Sequence, residues 1–392
     1  MLTLNEKEQK FYDAFWELKE KSGSHPPSII SVFDMIGEPK TFVDACFLSN
    51  PYATTLFMEH FNREIIEGGK LREYIEAYPP QNKEVAEFLT QVIDVPIDNI
   101  FIGNGAIEII QAVIHNFIKG KLVVNIPTFS SYYEYMKNKE DVIYYQLPKE
   151  RNYSLNVDRY IEYIKEIRPD SIVLVNPNNP NGDYISVENI TLMLRELSFL
   201  TNIIIDESFI HFAYEDADFS MVNTYNLLQE YPNLIVIKSL AKDFGIAGLR
   251  AGYAVMSADR VSSLLETGYQ WNIGGFANYF YRLYSKPEFV EAYDIVRKKY
   301  IMNTLMFITE LSRIPEIKVY PSKANFALIE LLDGSSSKDF MVKLLYSYGV
   351  YVRECTDKIG LNGQFLRIAS RTFEENMIIL NAIKDIFKNA GK

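Results

Sequence analysis

SIVLVNPNNPNGDYISVENITLMLRELSFLTNIIIDES, residues 171–208, holds two apolar runs, SIVLVNP (171–177) and NIIIDES (202–208), on either side of a helix-period stretch. Short, continuous, β-rich runs of this kind suit strands covered on both faces. The alternation extends along the chain, with further runs at NIFIG (99–103), KLVVNIP (121–127), DVIYYQLP (141–148), LIVIKSL (234–240) and AGYAVM (251–256), each set off by helical segments. The pattern predicts an α/β fold: a mostly parallel sheet with helices on both faces. In that architecture ligands sit beyond the carboxyl ends of the strands. Several polar residues in this chain directly follow such a run.

After about residue 285 the pattern changes. A long helical stretch, EFVEAYDIVRKKYIMNTLMFITEL, leads into IKVYPSKANFALIEL, a helix, GVYVREC, FLRIAS and a closing helix. The expected organisation is an N-terminal helix and arm over 1–48, a large domain over 49–285 and a smaller α+β domain over 286–392, with the N-terminal helix packing on the small domain. The first residues, MLTLNEKEQKFYDAFWELKEK, intersperse charges with Phe11, Phe15, Trp16 and Leu18, and so read as an amphipathic helix and not as a signal peptide. No run of about 18 apolar residues suggests a membrane span.

With 392 residues, 48% of them hydrophobic, the chain can bury a large core. Its formal net charge of −11 argues against a sequence-independent grip on nucleic acid, which needs a cationic surface. An anionic ligand would need a local cationic pocket. Cys46 and Cys355 are far apart and in no metal-type spacing, so neither a disulfide framework nor a metal site is expected, and a reducing cytoplasm is the simplest home.

The sharpest chemical segment is SLAKDFGIAGLRAGY, residues 239–253. It follows an apolar strand and sets Lys242 three residues after Ser239 and eight before Arg250, in a Gly-containing loop. A lysine that forms a Schiff base needs a partly desolvated position, and an anionic cofactor beside it needs hydroxyl and guanidinium donors. On spacing alone, a surface Lys and Arg on a strand-turn-strand is an equal reading.

Taken with the other segments, this set resembles the fold-type I pyridoxal 5'-phosphate (PLP) enzymes of the aminotransferase class I/II group, over most of the chain. The resemblance implies that Lys242 carries the cofactor, that Ser239 and Arg250 bind its phosphate, and that Asp206 pairs with the pyridinium nitrogen to keep the ring an electron sink. Without the other motifs Asp206 would read as a helix N-cap. Asn179, in NPNNPNG, matches the asparagine bonded to the ring's O3', and Phe129, in IPTF, the aromatic that stacks on the ring. Gly103-Asn104-Gly105-Ala106 resembles the family's phosphate loop, with Gly105 and Ala106 offering backbone N–H groups at a helix N-terminus. Tyr52, in SNPYATT, matches a tyrosine that reaches the partner's cofactor, which implies a homodimer. Phe209 departs from the pattern, standing where many aminotransferases have a tyrosine that bonds O3'.

For the substrate, the resemblance assigns Arg367 to the α-carboxylate, Arg353 to a distal phosphate and Asn50 to a carboxylate contact. RECTDKIGLNGQFLRIASR, residues 353–371, resembles the threonine-phosphate decarboxylase branch more than the histidinol-phosphate aminotransferase branch. The first expectation is therefore PLP-dependent decarboxylation of phosphoserine or phosphothreonine to an amino-alcohol phosphate. The alternative is transamination of a phosphorylated amine or amino acid. A non-catalytic PLP-fold protein would show no cofactor colour, and a nicotinamide oxidoreductase would need a G-x-G-x-x-G that is absent after the first strand of the sheet. His60, His115 and His211 are scattered and read as satisfied core or surface histidines.

Overall fold

The computed structural model describes residues 2–36 and 41–390, so residues 37–40 of the N-terminal arm lie outside the described residues. The chain divides into two compact units. One comprises Ser49–Asn179 and Asp183–Lys299; the other comprises the chain up to Leu48, Pro180–Gly182 and the chain from Tyr300 onward. The division falls inside the helix Pro287–Leu311.

The larger unit is built on a seven-stranded sheet, in spatial order Ile100–Asn104, Ala251–Val255, Leu234–Ser239, Asn202–Asp206, Ser171–Val175, Leu122–Ile126 and Val142–Gln146. Pairing is parallel except on both sides of Ala251–Val255, which runs against its neighbours. Strand periodicity explains the continuous apolar runs. Ile203 and Ile205, Ile172 and Leu174, and Leu234 and Val236 pack on one face, with the helices Asn82–Thr90, Val157–Ile167, Val187–Glu196 and Gly275–Tyr284. Ile204, Val173 and Val175, and Ile235 and Ile237 pack on the other, with the helices Gly105–Phe117 and Ala258–Glu266. Alternate residues point to opposite faces, so a strand covered on both must be apolar at every position. Each fully buried aliphatic side chain contributes about 1.5–3 kcal/mol.

The smaller unit has a five-stranded sheet, in order Val43–Ala45, Val350–Glu354, Phe365–Ala369, Phe326–Leu331 and Ile317–Val319. Val43–Ala45 pairs in parallel with Val350–Glu354; the other pairings are antiparallel. The helix Glu6–Lys21, whose Asn5 and Glu8 form a capping box, buries Phe11 and Phe15 in the core that also holds Tyr351, Phe340 and Ile383. Among the described residues, no helix is long and apolar enough to cross a membrane, and no group of three or more His, Cys, Asp or Glu could hold a metal ion.

Ile100–Asn104 is an edge strand, and an uncovered edge leaves backbone groups unpaired. Buried Asn82 covers it: its amide donates to Ile102 O at 2.6 Å, and its Oδ1 accepts from Ile102 N at 3.0 Å. Asn272 Nδ2 donates to the same carbonyl at 3.0 Å. Asn82→Ala should therefore strand the Ile102 N–H and destabilise the protein by about 1–3 kcal/mol, seen as a lower urea midpoint. Asn272→Ala, which leaves both Ile102 groups bonded to Asn82, should shift that midpoint less.

Candidate active site

The topology gathers the polar residues of the larger unit at one edge of its sheet. Asp206 ends its strand, and Asn179, Phe129 and Lys242 follow the ends of three others. Arg250 joins them because the single reversed strand, Ala251–Val255, begins at that edge.

Asp206 is 3% exposed. Its Oδ1 accepts from Ser208 N at 2.9 Å, and its Oδ2 accepts from the Tyr132 hydroxyl at 2.8 Å. Burial pushes its pKa up, against the opposing effect of these donors and of the buried Lys238 ammonium. A buried carboxylate held by neutral donors gains most from a cation brought beside it, which is what a protonated pyridine nitrogen offers. Tyr132, three residues after Phe129, was not among the sequence candidates. In a chain with 27 tyrosines, only the fold could single it out.

Two asparagines build the loops around this carboxylate. Asn176 Nδ2 donates to Ile185 O at 2.9 Å and its Oδ1 accepts from Ile185 N at 2.8 Å, while its backbone N–H bonds Asp206 O at 2.8 Å. Asn178 Nδ2 donates to Pro127 O at 2.9 Å, and its Oδ1 accepts from Thr128 Oγ1 at 2.7 Å. These bonds tie the loop carrying buried Asn179 to the loop carrying half-buried Phe129. Phe209 is buried just beyond Asp206 and brings no hydroxyl.

The phosphate-loop residues meet through close packing. Gly105 has φ +75°, a backbone that favours glycine, and a Cβ there would meet the end of the Arg250 side chain at 2.5 Å from Nη2, so Arg250 packs directly on it. Arg250 is itself left-handed at φ 60°, with Nη1 donating to Ala247 O at 3.1 Å. Its guanidinium lies over the first turn of the helix Gly105–Phe117, where backbone N–H groups are available to an anion. Ala106 offers that turn no hydroxyl, and Ser239, 6% exposed, ends the strand before Lys242.

Lys242 is half-buried in the short helix Leu240–Asp243, and its carbonyl accepts from Asn50 N at 3.1 Å. Asn50 is fully buried. Its Oδ1 caps the helix Pro51–Phe61 through Tyr52 N at 3.1 Å and Ala53 N at 3.3 Å, while its Nδ2 donates to nothing among the described residues. An orphaned buried donor anchored beside the lysine fits an anionic ligand group. Half-buried Tyr52 lies on the same helix, with Lys299 Nζ 4.6 Å from its ring centroid. The glycine beneath Arg250 and the buried Asp206 carboxylate fit PLP, and the Asn50 amide is left for a further anionic group.

In the smaller unit, Arg353 and Arg367 stand directly opposite each other on neighbouring antiparallel strands. Like charges so placed repel. Arg353 donates to Ser24 O at 3.0 Å, to Asp357 Oδ2 at 2.6 Å and to Glu354 O. Arg367 donates to Cys46 O at 2.8 Å and has its guanidinium 5.5 Å from the Phe326 ring centroid. The structure adds a cation that the sequence did not mark: Lys358 is 8% exposed. Its ammonium is pushed down to about 8 by burial, with Arg353 adding to the effect. Three buried cations so close together favour a bound anion.

Of the scattered histidines, His211 is buried with Nδ1 2.9 Å from the Tyr293 hydroxyl, and His115 Nε2 lies 3.1 Å from Tyr135 O. His60 Nδ1 lies 3.3 Å from Glu64. Cys46 and Cys355 are free and buried.

A ligand-free Lys358→Met variant should melt higher than wild type at pH 7. The folded pKa near 8 lies below the unfolded value, so the folded protein binds this proton more weakly and is destabilised wherever the ammonium is charged. The advantage of the variant should be largest below pH 8 and shrink toward pH 10, as read by thermal melts across that range.

The family profile described as aminotransferase class I and II matches residues 49–383. An L-serine phosphate decarboxylase of Campylobacter jejuni is 53% identical over 388 residues, covering 99% of this chain and 100% of that protein. A histidinol-phosphate aminotransferase of Thermoanaerobacter pseudethanolicus is 32% identical over 335 residues, covering 83% of this chain and 87% of that one. Among solved structures, a decarboxylase from Sulfurospirillum multivorans is 42% identical and superimposes with a TM-score of 0.92 over 97% of each chain.

Proposed function

This chain belongs to the class I and II aminotransferase family of PLP enzymes, and from that premise we propose that it decarboxylates O-phospho-L-serine to ethanolamine phosphate and carbon dioxide. The observation that carries the reading is the near full-length 53% identity to an L-serine phosphate decarboxylase, joined to a buried arginine pair suited to a doubly anionic substrate.

Bound PLP supplies an electron sink for the pair released from a bond at the substrate's α-carbon. Lys242 would hold it covalently, with Ser239, Arg250 and the amides of Gly105 and Ala106 on its phosphate, Phe129 on its ring face and Asn179 at O3'. Asp206 would keep a proton on the ring nitrogen, because a cation beside it would stabilise its buried carboxylate, whose hydrogen-bond donors are the neutral Tyr132 hydroxyl and Ser208 N–H. In the smaller unit, Arg367 takes the α-carboxylate and Arg353 with Lys358 takes the phosphate; a planar guanidinium is suited to both anions. Asn50 Nδ2 is a further carboxylate donor. The amine of Lys242 would be the group positioned to return a proton to the α-carbon in place of the departed carboxylate. One proton is consumed for each carbon dioxide released.

The active unit in this reading is a homodimer, with Tyr52 serving the partner's cofactor phosphate. The compartment is the cytoplasm, where Cys46 and Cys355 stay reduced.

Holoenzyme incubated with phosphoserine or phosphothreonine, without a keto acid, should release carbon dioxide over many turnovers and accumulate the amine phosphate, detected by mass spectrometry. Phosphoserine should be the better substrate. Single conversion of the cofactor to its pyridoxamine form, without carbon dioxide, would move the assignment to transamination. Arg353→Met should lower kcat/KM for phosphoserine about 10–100-fold, as expected for loss of a charge-assisted contact worth about 1.5–3 kcal/mol.

A further inference from the structure

Lys238 and Ser239 are neighbours on the strand Leu234–Ser239 and point to opposite faces of the sheet. Ser239 shares a face with Ile237 and, across the parallel pairing, with Asp206. Lys238 points the other way and is 0% exposed. Its ammonium donates to Glu207 O at 3.0 Å and pairs with Asp243 Oδ2 at 2.7 Å. Glu207 directly follows Asp206, and Asp243 directly follows Lys242. One buried cation therefore grips, from behind, the residue next to each of the two groups that hold the cofactor.

The surroundings are built to keep it there. Phe244 stacks on Tyr293 with ring centroids 4.0 Å apart, and the Tyr293 hydroxyl lies 2.9 Å from His211 Nδ1. That nitrogen is 3.7 Å from Asp243 Oδ2. Arg297, also fully buried, donates through Nη1 to His211 O at 3.0 Å and through Nε to Asp294 at 2.9 Å. The Glu207 carboxylate accepts from Thr224 Oγ1 at 2.7 Å. Burial pushes the Asp243 carboxyl up to about 6, with Lys238 opposing it. A buried ion pair is often no more stabilising than apolar packing of the same volume, so stability alone is a weak reason for this one.

We propose that Lys238 is a positioning residue, which fixes the placement of Asp206 relative to Lys242 by holding the Glu207 carbonyl and the Asp243 carboxylate at the same time. The inference rests on the reading of Lys242 and Asp206 as cofactor residues. A misplacement of about 1 Å between such groups is enough to slow a reaction about 100-fold.

The test compares wild-type holoenzyme with Lys238→Arg, Asp243→Asn and the double variant Lys238→Met with Asp243→Asn, which removes both charges together. Three quantities are read: the visible absorption spectrum of the bound cofactor without substrate, the dissociation constant for PLP, and the separate kcat and KM for phosphoserine. The double variant should show a shifted absorption maximum, weaker PLP binding, and kcat lowered about 10–100-fold with KM within threefold of wild type. Lys238→Arg, which still offers donors to both partners, should recover the wild-type spectrum and most of kcat. If the double variant does not fold, Asp243→Asn alone carries the test and should shift the spectrum in the same direction. The proposal is overturned if the folded variants keep the wild-type spectrum and kcat within twofold and lose only thermal stability. A wild-type enzyme inactive on phosphoserine would sink the substrate assignment, while the spectra and PLP affinities would still decide the role of Lys238.

Discussion

Asp206 places a carboxylate at the end of a strand whose sheet is covered by helices on both faces, and the larger unit is arranged around that buried group. Tyr132 and the Ser208 amide satisfy its two oxygens, and the backbone of the NPNN loop is bonded to its carbonyl. Its hydrogen-bond donors are neutral, with the buried Lys238 ammonium the charged group acting on it, and a cation brought beside it would stabilise it further. In the proposed function the pyridinium of PLP would be that cation. The same edge of the sheet carries Lys242 and an arginine, Arg250, packed against Gly105.

The sheet was legible because a strand buried on both faces must be apolar at every position, as SIVLV and NIII are. Asp206, Asn179 and Lys242 were picked out by their resemblance to a family motif, since Asp206 alone reads as a helix N-cap, and the structure places all three at one edge of the sheet. Tyr132, Asn178, Lys238 and Lys358 were not legible. Each acts through a partner distant in sequence or through burial, and neither leaves a periodic signal. Lys238 in LIVIKSL reads as an ordinary polar residue at a strand end until its partners Glu207 and Asp243 are seen. The division between the units falls within a continuous helix, where no Gly, Pro or change in composition marks it.

The arginine pair of the smaller unit is an arrangement that costs stability in the absence of a bound anion. Arg353 and Arg367 sit face to face across two strands, and Lys358 adds a third cation that burial disfavours. Asp357 and the carbonyls of Ser24 and Cys46 hold the guanidiniums in place without neutralising the group. Such an arrangement is more stable with an anion than without one, so any anion bound there would also stabilise the fold.

We propose that the edge of the larger sheet presents Lys242, and no other lysine, to the cofactor. Reduction of the holoenzyme with borohydride, followed by proteolysis and mass spectrometry, tests it directly, because reduction fixes the cofactor to the lysine that carries it. The account predicts a phosphopyridoxyl group on Lys242 alone, with Lys238 unmodified in the same peptide. A label on Lys238 or any other lysine, or no label in a protein that retains PLP, would contradict it.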